Sequence, residues 1–375
     1  MNGTSCHKTY KEKLRPTPTQ ERELERVLWQ CRELYHAALE QRITAWQRHH
    51  VSVSRYEQEA ELKDIRAAFP EYAVIHSHVL QDVLARLDKA YQAFFRQLER
   101  GEQAGFPRYK GPTRYHSFTF KEYGNGARLD NGFLVLSKIG RIRMYWSRHI
   151  EGSLKTVTVA KEADGWYVSI SCAEVPTHPL LPAGQETAID LGLESFATLA
   201  DGTMLHNPRC YRRAEAYLRR CQRRVARRTK GGSRRRKAVQ LLAKAHQKIR
   251  RQRRDFHRKT ALVLVLVRQY DTIYYEDLRV RNMVQNHSLA KSISDAGWSA
   301  FLTILASKAA GAGKRMHAVN PAFTSQVCSG PDCGHVVWEG LSVRWHACPE
   351  CGTNLHRNHN AARNILRQGQ EKQAK

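Results

Sequence analysis

Apolar positions first recur at helical spacing just after Thr17. Thr17-Pro18-Thr19-Gln20 offers an N-cap threonine, a proline at the first helical position and a capping-box glutamine. Leu24, Val27, Leu28, Cys31, Leu34, Tyr35 and Ala38 then fall on one face, which predicts a long amphipathic helix. A second helical stretch is expected from about residue 74 to 98. It precedes GEQAGFPRYKG, whose three glycines and one proline end the helical region near Gly111. The aromatics Trp29, Tyr35, Trp46, Tyr91, Phe94 and Phe95 sit at helical spacings, which assigns them to the core.

From Ser117 the pattern shortens to alternating or β-branched runs: SFTF, FLVLS, RIRMYW and LKTVTVAKEADGWYVSISCAEV, the last turning back at Asp164-Gly165. A β module is expected there. VPTHPLLPAGQ, with three prolines, reads as a linker. Beyond it, TAIDLGLESFATLADGT predicts two strands around Gly192, with Asp190 on the first. Basic helices, a buried strand in DTIYYED and a closing helix in HNAARNILRQ complete an α/β second half.

Charge narrows the partners. The chain has 62 Lys and Arg against 35 Asp and Glu, a net +27, and such a field attracts polyanions. Residues 209–259 alone hold 22 of the basic side chains and two acids, Glu215 and Asp255. Like charges at that density repel unless phosphates neutralise them. No apolar run approaches the roughly 18 residues that span a bilayer, and the first residues lack the apolar stretch of a signal peptide. Nucleic acid is therefore the favoured polyanion, with a cytoplasmic, nucleoid-associated location and no membrane partner.

Nine cysteines are present, five of them scattered. The other four form two pairs: Cys328 and Cys333 separated by four residues, Cys348 and Cys351 by two, with fourteen residues between the pairs. Four soft ligands at this spacing make a closed tetrahedral zinc site, a ribbon at about residues 322–353. Gly334 and Gly352, each directly after a cysteine, allow the tight knuckle turns. Zinc is expected to be structural.

The motifs AIDLGLESFATLADG, IYYEDLRVRNM, SISDAGW, NPAFTSQVCSG and CPECGTNLHRNHNAARNIL, over most of residues 186–367, resemble the nuclease half of TnpB, the transposon-encoded relative of type V CRISPR effectors. HKTYKEKLRPTPTQ, LYHAALEQR and GFPRYKG extend the similarity more loosely into the first half. The resemblance implies a multidomain α/β chain: a wedge-like β-barrel from residues 1–14 and 112–180, an inserted helical recognition lobe at 15–111, and a RuvC-like RNase H fold at 181–375 carrying the zinc ribbon.

The resemblance also implies three carboxylates, one per motif, holding two Mg²⁺ ions about 4 Å apart. The matching positions are Asp190, Glu276 and Asn358. The third is an amide, uncharged and with one oxygen, so Mg²⁺ binding through Asp190 and Glu276 should be weakened. His356 and His359 flank that position, but imidazole suits Mg²⁺ less well. By the same resemblance Gln81 would read a short duplex motif beside the target, with Ser77, Tyr56 and Arg55 as neighbours. Arg223, Arg224, Arg227, Arg228, Lys230, Arg234, Arg235 and Arg236 would track the backbone of a guide RNA–DNA heteroduplex.

The expectation is an RNA-guided DNA-binding protein that does not cleave efficiently, acting as a repressor. Two alternatives stay open within the resemblance: an active transposon-associated endonuclease, and such a nuclease deliberately inactivated at Asn358. A third, from another class, is a structural RNA-binding protein.

Overall fold

The computed structural model describes residues 5–340 and 343–374. The chain forms two compact units, Met1–Pro176 and Thr177–Lys375.

The first unit opens with β1 (Ser5–Arg15), then α1 (Pro18–His49), whose first turn carries both halves of the capping box: the Thr17 hydroxyl accepts from the Gln20 amide, and the Gln20 side chain accepts from the Thr17 amide. The short helices α2 (Arg55–Ala60), α3 (Leu62–Ala68) and α4 (Pro70–Ala73) lead to α5 (Ser77–Glu99). This second long helix starts at Ser77 rather than Val74. Residues 100–111 are not helical, because Gly101 turns the chain with φ +65° directly after α5.

Leu24, Val27, Leu28, Leu34 and Leu39 of α1 share a core with Val79, Leu80, Val83, Leu84 and Leu87 of α5. The aromatics largely depart from expectation. Tyr35 is buried, but Trp29, Trp46 and Phe95 are more than half exposed. Trp29 faces solvent within α1, whereas Trp46 and Phe95 lie near the C-terminal ends of α1 and α5, where loops follow both helices. Trp46, Tyr56, Tyr91, Phe94, Phe95 and Phe106 line an open groove of about 1010 Å³ there.

The strands are β2 (Ser117–Phe120), β3 (Ala127–Asp130), β4 (Phe133–Leu136), β5 (Gly140–Met144), β6 (Ser153–Glu162) and β7 (Gly165–Pro176). With β1 they form one antiparallel sheet in the order β2-β6-β7-β1-β5-β4-β3. β1 links its two parts: Ser5–Lys13 pair with β7, and Leu14 and Arg15 pair with β5. Along β7, Trp166, Val168, Ile170 and Cys172 alternate into the core, as the two-residue period requires. Among the described residues no ladder joins β2 to β3, so the expected barrel takes the form of a nearly closed seven-stranded sheet.

The second unit contains β8 (Glu186–Leu191), β9 (Ser195–Leu199), β10 (Met204–His206), α6 (Cys210–Ala226), α7 (Ser233–Leu262), β11 (Thr272–Glu276), α8 (Val280–Met283), α9 (His287–Ala296), α10 (Trp298–Gly311), β12 (Arg315–Val319), β13 (Trp345–Ala347), β14 (Asn354–His356) and α11 (Arg357–Ala374). Its main sheet runs β10-β9-β8-β11-β12. The first three strands form an antiparallel meander, and β8, β11 and β12 are parallel. Parallel central strands are covered on both faces, which explains why five of the six residues of β8 are buried.

On one face Phe196, Ala261, Phe301 and Leu305 pack together, joining the sheet to α7 and α10. On the other, Ile365 of α11 packs with Ala188, Tyr274 and Val319. α11 approaches the sheet closely because Gly369 has no side chain: a Cβ there would lie 2.1 Å from Cδ1 of Tyr274. Gly369→Ala should therefore destabilise the chain by about 1–3 kcal/mol through overpacking. A drop in the denaturant midpoint at unchanged slope would register it.

Candidate functional site

The parallel pairing of β8 with β11 places Ile189 opposite Tyr275. The next residues along the two strands, Asp190 and Glu276, therefore stand side by side at the carboxyl edge of the sheet. Both are buried, 9% and 8% exposed. Burial raises the Asp190 carboxyl well above the usual range, the Glu276 charge raises it further, and nearby Arg357 opposes both. Glu276 is also raised by burial, against which a hydrogen bond from the Thr324 hydroxyl holds it down. A divalent cation is the group that would offset burial and repulsion together.

The third position comes from the first turn of α11. A Cβ on Gly192 would lie 3.2 Å from Nδ2 of Asn358, so the amide packs against the turn just past Asp190. Gly192 is fixed first by its own hairpin, where a Cβ would lie 2.9 Å from the Ser195 carbonyl. Neither flanking histidine replaces a carboxylate here. His356 Nδ1 accepts from the Asn358 backbone amide at 3.3 Å, and His359 Nε2 lies 3.1 Å from the Ala200 carbonyl, its ring against Gly202. The site thus holds two carboxylates and an amide. Among the described residues, three or more His, Cys, Asp or Glu donors converge at one place, the four cysteines.

Cys328, Cys333, Cys348 and Cys351 bring their sulfurs within 4.8 Å of one another. Cys328 and Cys351 are 3.5 Å apart, and Cys333 and Cys348 3.6 Å. A tetrahedron with Zn–S bonds of about 2.3 Å has edges of about 3.8 Å, so the donor set fits zinc. Gly334 and Gly352 have φ of +64° and +71°, as the knuckle turns require. Gly330 is a third necessary glycine that sequence reading missed: a Cβ there would meet Thr353 Oγ1 at 2.6 Å and Cys351 Sγ at 3.0 Å.

Helix α11 ties this cluster to the acidic site. Asn360 accepts from the Ser329 amide at 2.8 Å and donates to the Val327 carbonyl at 2.7 Å. Asn364 donates to the carbonyls of Thr324 and Val327. Buried Arg357 donates to the Gly340 carbonyl at 2.7 Å and to Ser325 Oγ at 3.1 Å. The available signal was the i, i+4 spacing of the two asparagines within NAARNIL, which puts both on one face.

The basic segment forms the helices α6 and α7. Arg220, Arg223, Arg224, Arg227 and Arg228 line a concavity of about 600 Å³, and Arg234 and Lys237 join Arg224 and Arg228 beside it. Lys230 and Arg236 are exposed. Arg235 is different: its Nη1 donates to the carbonyls of Val225 at 2.7 Å and Arg228 at 3.0 Å, closing the end of α6. Asp295, in the SISDAGW motif, caps the other end of α6 by accepting from the amides of Tyr211 and Arg212. Its role is structural.

In the first unit, Ser77 and Gln81 lie one turn apart on α5, both partly exposed. Arg55 Nε pairs with Glu59 at 2.9 Å, and its guanidinium lies 5.1 Å from the exposed ring of Tyr56. Arg55 and Tyr56 line the aromatic groove, whereas Ser77 and Gln81 do not.

Two outcomes follow from this geometry. Cys348→Ser should lose the single bound zinc, read by atomic absorption, and lower thermal stability because structural zinc binding contributes directly to folding. Asp190 has a raised folded-state pKa, so its contribution to stability is greatest in acid and is lost as pH rises through that raised value. In magnesium-free buffer Asp190→Asn should therefore be more stable than the parent at pH 8 and lose this advantage in acid. Each 1 kcal/mol relieved would raise the melting temperature by about 2–4 °C.

Three family models match the chain: one described as a helix-turn-helix domain over residues 1–50, one as "Probable transposase" over 169–287, and one as Cas12f1-like, TNB domain over 298–365. A Streptomyces pristinaespiralis protein named as an RNA-guided DNA endonuclease is 36% identical, covering 96% of this chain and 89% of that protein. InsQ of Escherichia coli (strain K12), named likewise, is 30% identical, covering 96% and 92%. Among solved structures, that of the mini-RNA-guided endonuclease CRISPR-Cas phi3 aligns with a TM-score of 0.49 at 10% identity, covering 97% of this chain and 92% of that one. The two relatives at 36% and 30% identity, each matched along nearly its whole length, place the relationship beyond shared fold alone, and the chain belongs to the TnpB family.

Proposed function

We propose that this chain is an RNA-guided DNA-binding protein whose RuvC-like site is degenerate, so that it holds guide RNA and double-stranded target DNA without efficient cleavage and acts as a repressor. The observation that carries this reading is Asn358, an amide beside Gly192 at the place where the family pattern calls for the third carboxylate. The sheet order β10-β9-β8-β11-β12, a meander followed by two parallel strands, supports an RNase H-like core, with Asp190 and Glu276 at the strand ends where such a core works.

Asp190 and Glu276 would hold Mg²⁺, which supplies charge stabilisation and an activated water in two-metal hydrolysis. With two anions instead of three, the chain's own residues leave a cation underneutralised, and Thr324 and Arg357 cannot replace the missing charge: one is neutral, the other positive. The four cysteines would hold zinc as a structural staple. Phosphate tracking falls to Arg223, Arg224, Arg227, Arg228, Lys230, Arg234 and Arg236, and motif reading to Gln81 with Ser77, Tyr56 and Arg55. Arg235 serves as a helix cap instead.

A cleavage assay with guide RNA, matching DNA and Mg²⁺ tests this reading. The chain as written should bind its target yet cut more than about 100-fold more slowly than Asn358→Asp, since loss of a direct ligand exceeds the 10–100-fold cost of losing an outer hydrogen bond. Equal cutting by both would overturn it. DNA affinity should fall steeply as salt rises, in proportion to the phosphates engaged.

A further inference from the structure

Helix α5, which carries Ser77 and Gln81, starts on an imidazole cap. His76 directly precedes the helix, and its Nδ1 accepts from the His78 backbone amide at 3.2 Å. Asparagine, serine and threonine are the usual residues at such a position, because their oxygens remain acceptors in acid. Imidazole accepts through Nδ1 only while that nitrogen carries no proton.

The same ring is built into a second contact. It lies against Gly126, where a Cβ would come within 2.6 Å of Cδ2 and 2.7 Å of Nε2. Phe120 of β2 flanks it, with 5.6 Å between ring centroids. Gly126 belongs to the turn between β2 and β3, which the sheet holds in place: the Tyr123 amide donates to the Lys155 carbonyl, and the Ser137 amide to the Gly126 carbonyl. His78 adds a parallel link, its Nε2 lying 3.4 Å from Nδ2 of Asn125 in that turn. Two imidazoles thus seat the first turn of α5 on residues 122–126.

The surroundings of the His76 ring oppose a proton. Burial, and then the neighbouring His78 ring 5.0 Å away between centroids, hold this imidazole below its ordinary range, against a hydrogen bond to Asn125. Arg66 of α3, anchored on the Ala73 carbonyl, adds its charge in the same direction. The amides at the helix start contribute the positive end of the macrodipole. The carboxylate of the turn, Glu122, lies 3.5 Å from Nδ2 of Asn125. Because the folded-state value is depressed, the contribution of the neutral cap is complete above the ordinary imidazole pKa and is lost as pH falls through the depressed one.

We propose that His76 is a positioning residue for the motif-reading face of α5, and that only its neutral imidazole holds that face on the 122–126 turn. A proton on Nδ1 would replace the cap acceptor by a donor facing the His78 amide, and would set a cation between Arg66 and the helix start. The proposal rests on the assignment of motif reading to Gln81 and Ser77 and adds its control by acid.

The test uses the full chain with its co-purified guide RNA and duplexes in which the matching target is flanked by randomised base pairs. Bound duplexes are sequenced at pH 8 and at about pH 5, on either side of the imidazole range. At pH 8 the parent should enrich one flanking motif, and Gln81→Ala should lose that enrichment. In acid the parent's enrichment should fall about tenfold, the discrimination that roughly one base pair carries. His76→Asn keeps a cap acceptor and does not titrate, so it should enrich the same motif equally at both pH values; His76→Ser serves as a second such cap. A parent profile as flat as theirs, or an equal acid loss in all three, would overturn the positioning role and leave motif reading by Gln81 standing. Enrichment that survives Gln81→Ala, or its absence from the parent at pH 8, would overturn both.

Discussion

Helix α11 is pinned by two asparagine side chains, and the chemistry of the second unit depends on that pinning. Asn360 and Asn364 are buried and bonded to the backbone of residues 324–329, while the Asn364 side-chain oxygen accepts from Arg367. A buried amide left without partners costs about 1–3 kcal/mol, so these bonds fix both the helix and the loop. From that loop, Thr324 reaches Glu276 and Cys328 enters the sulfur cluster. From the helix, Asn358 reaches the turn after Asp190. Cysteine cluster and acidic site are therefore parts of one hydrogen-bonded frame.

On the proposed reading, that frame lets the chain keep the shape of a three-carboxylate site with one charge fewer. Asparagine at position 358 fills nearly the same volume as aspartate, so the packing against Gly192 survives the exchange. Electrostatics do not. Two buried carboxylates that repel each other gain from a cation, but the number of anions facing it sets how strongly it is held. Shape and charge separate at this position: the first is kept by α11, and the second depends on a single side chain.

The basic helices show a similar division of labour. Net charge predicts that the 209–259 segment meets a polyanion, yet charge counting treats every arginine alike. Arg235 closes the end of α6 and Asp295 caps its start, so the hairpin is built by some of the same residue types that would contact phosphates. The arginines at 220, 223, 224, 227 and 228 form the concave surface, because spacings of three and four place them on one side of the helix.

Much of this was legible along the chain. The capping box at Thr17, the alternation of β7, the pairing of the cysteines and the acids ending two apolar strands all rest on short-range rules: periodicity, caps and ligand spacing act over a few residues and need no knowledge of the fold. What the sequence could not decide involves partners distant in the chain. β1 pairs with strands more than a hundred residues away. The glycines at 330 and 369 are required by side chains of Thr353 and Tyr274. The exposure of Trp46 and Trp338 depends on what fails to cover them. By itself the sequence singled out the residues suited to metal binding and to polyanions, since that suitability follows from residue type and local spacing. Only the tertiary structure decided which of them meet, because meeting depends on the close packing of segments that local rules leave independent.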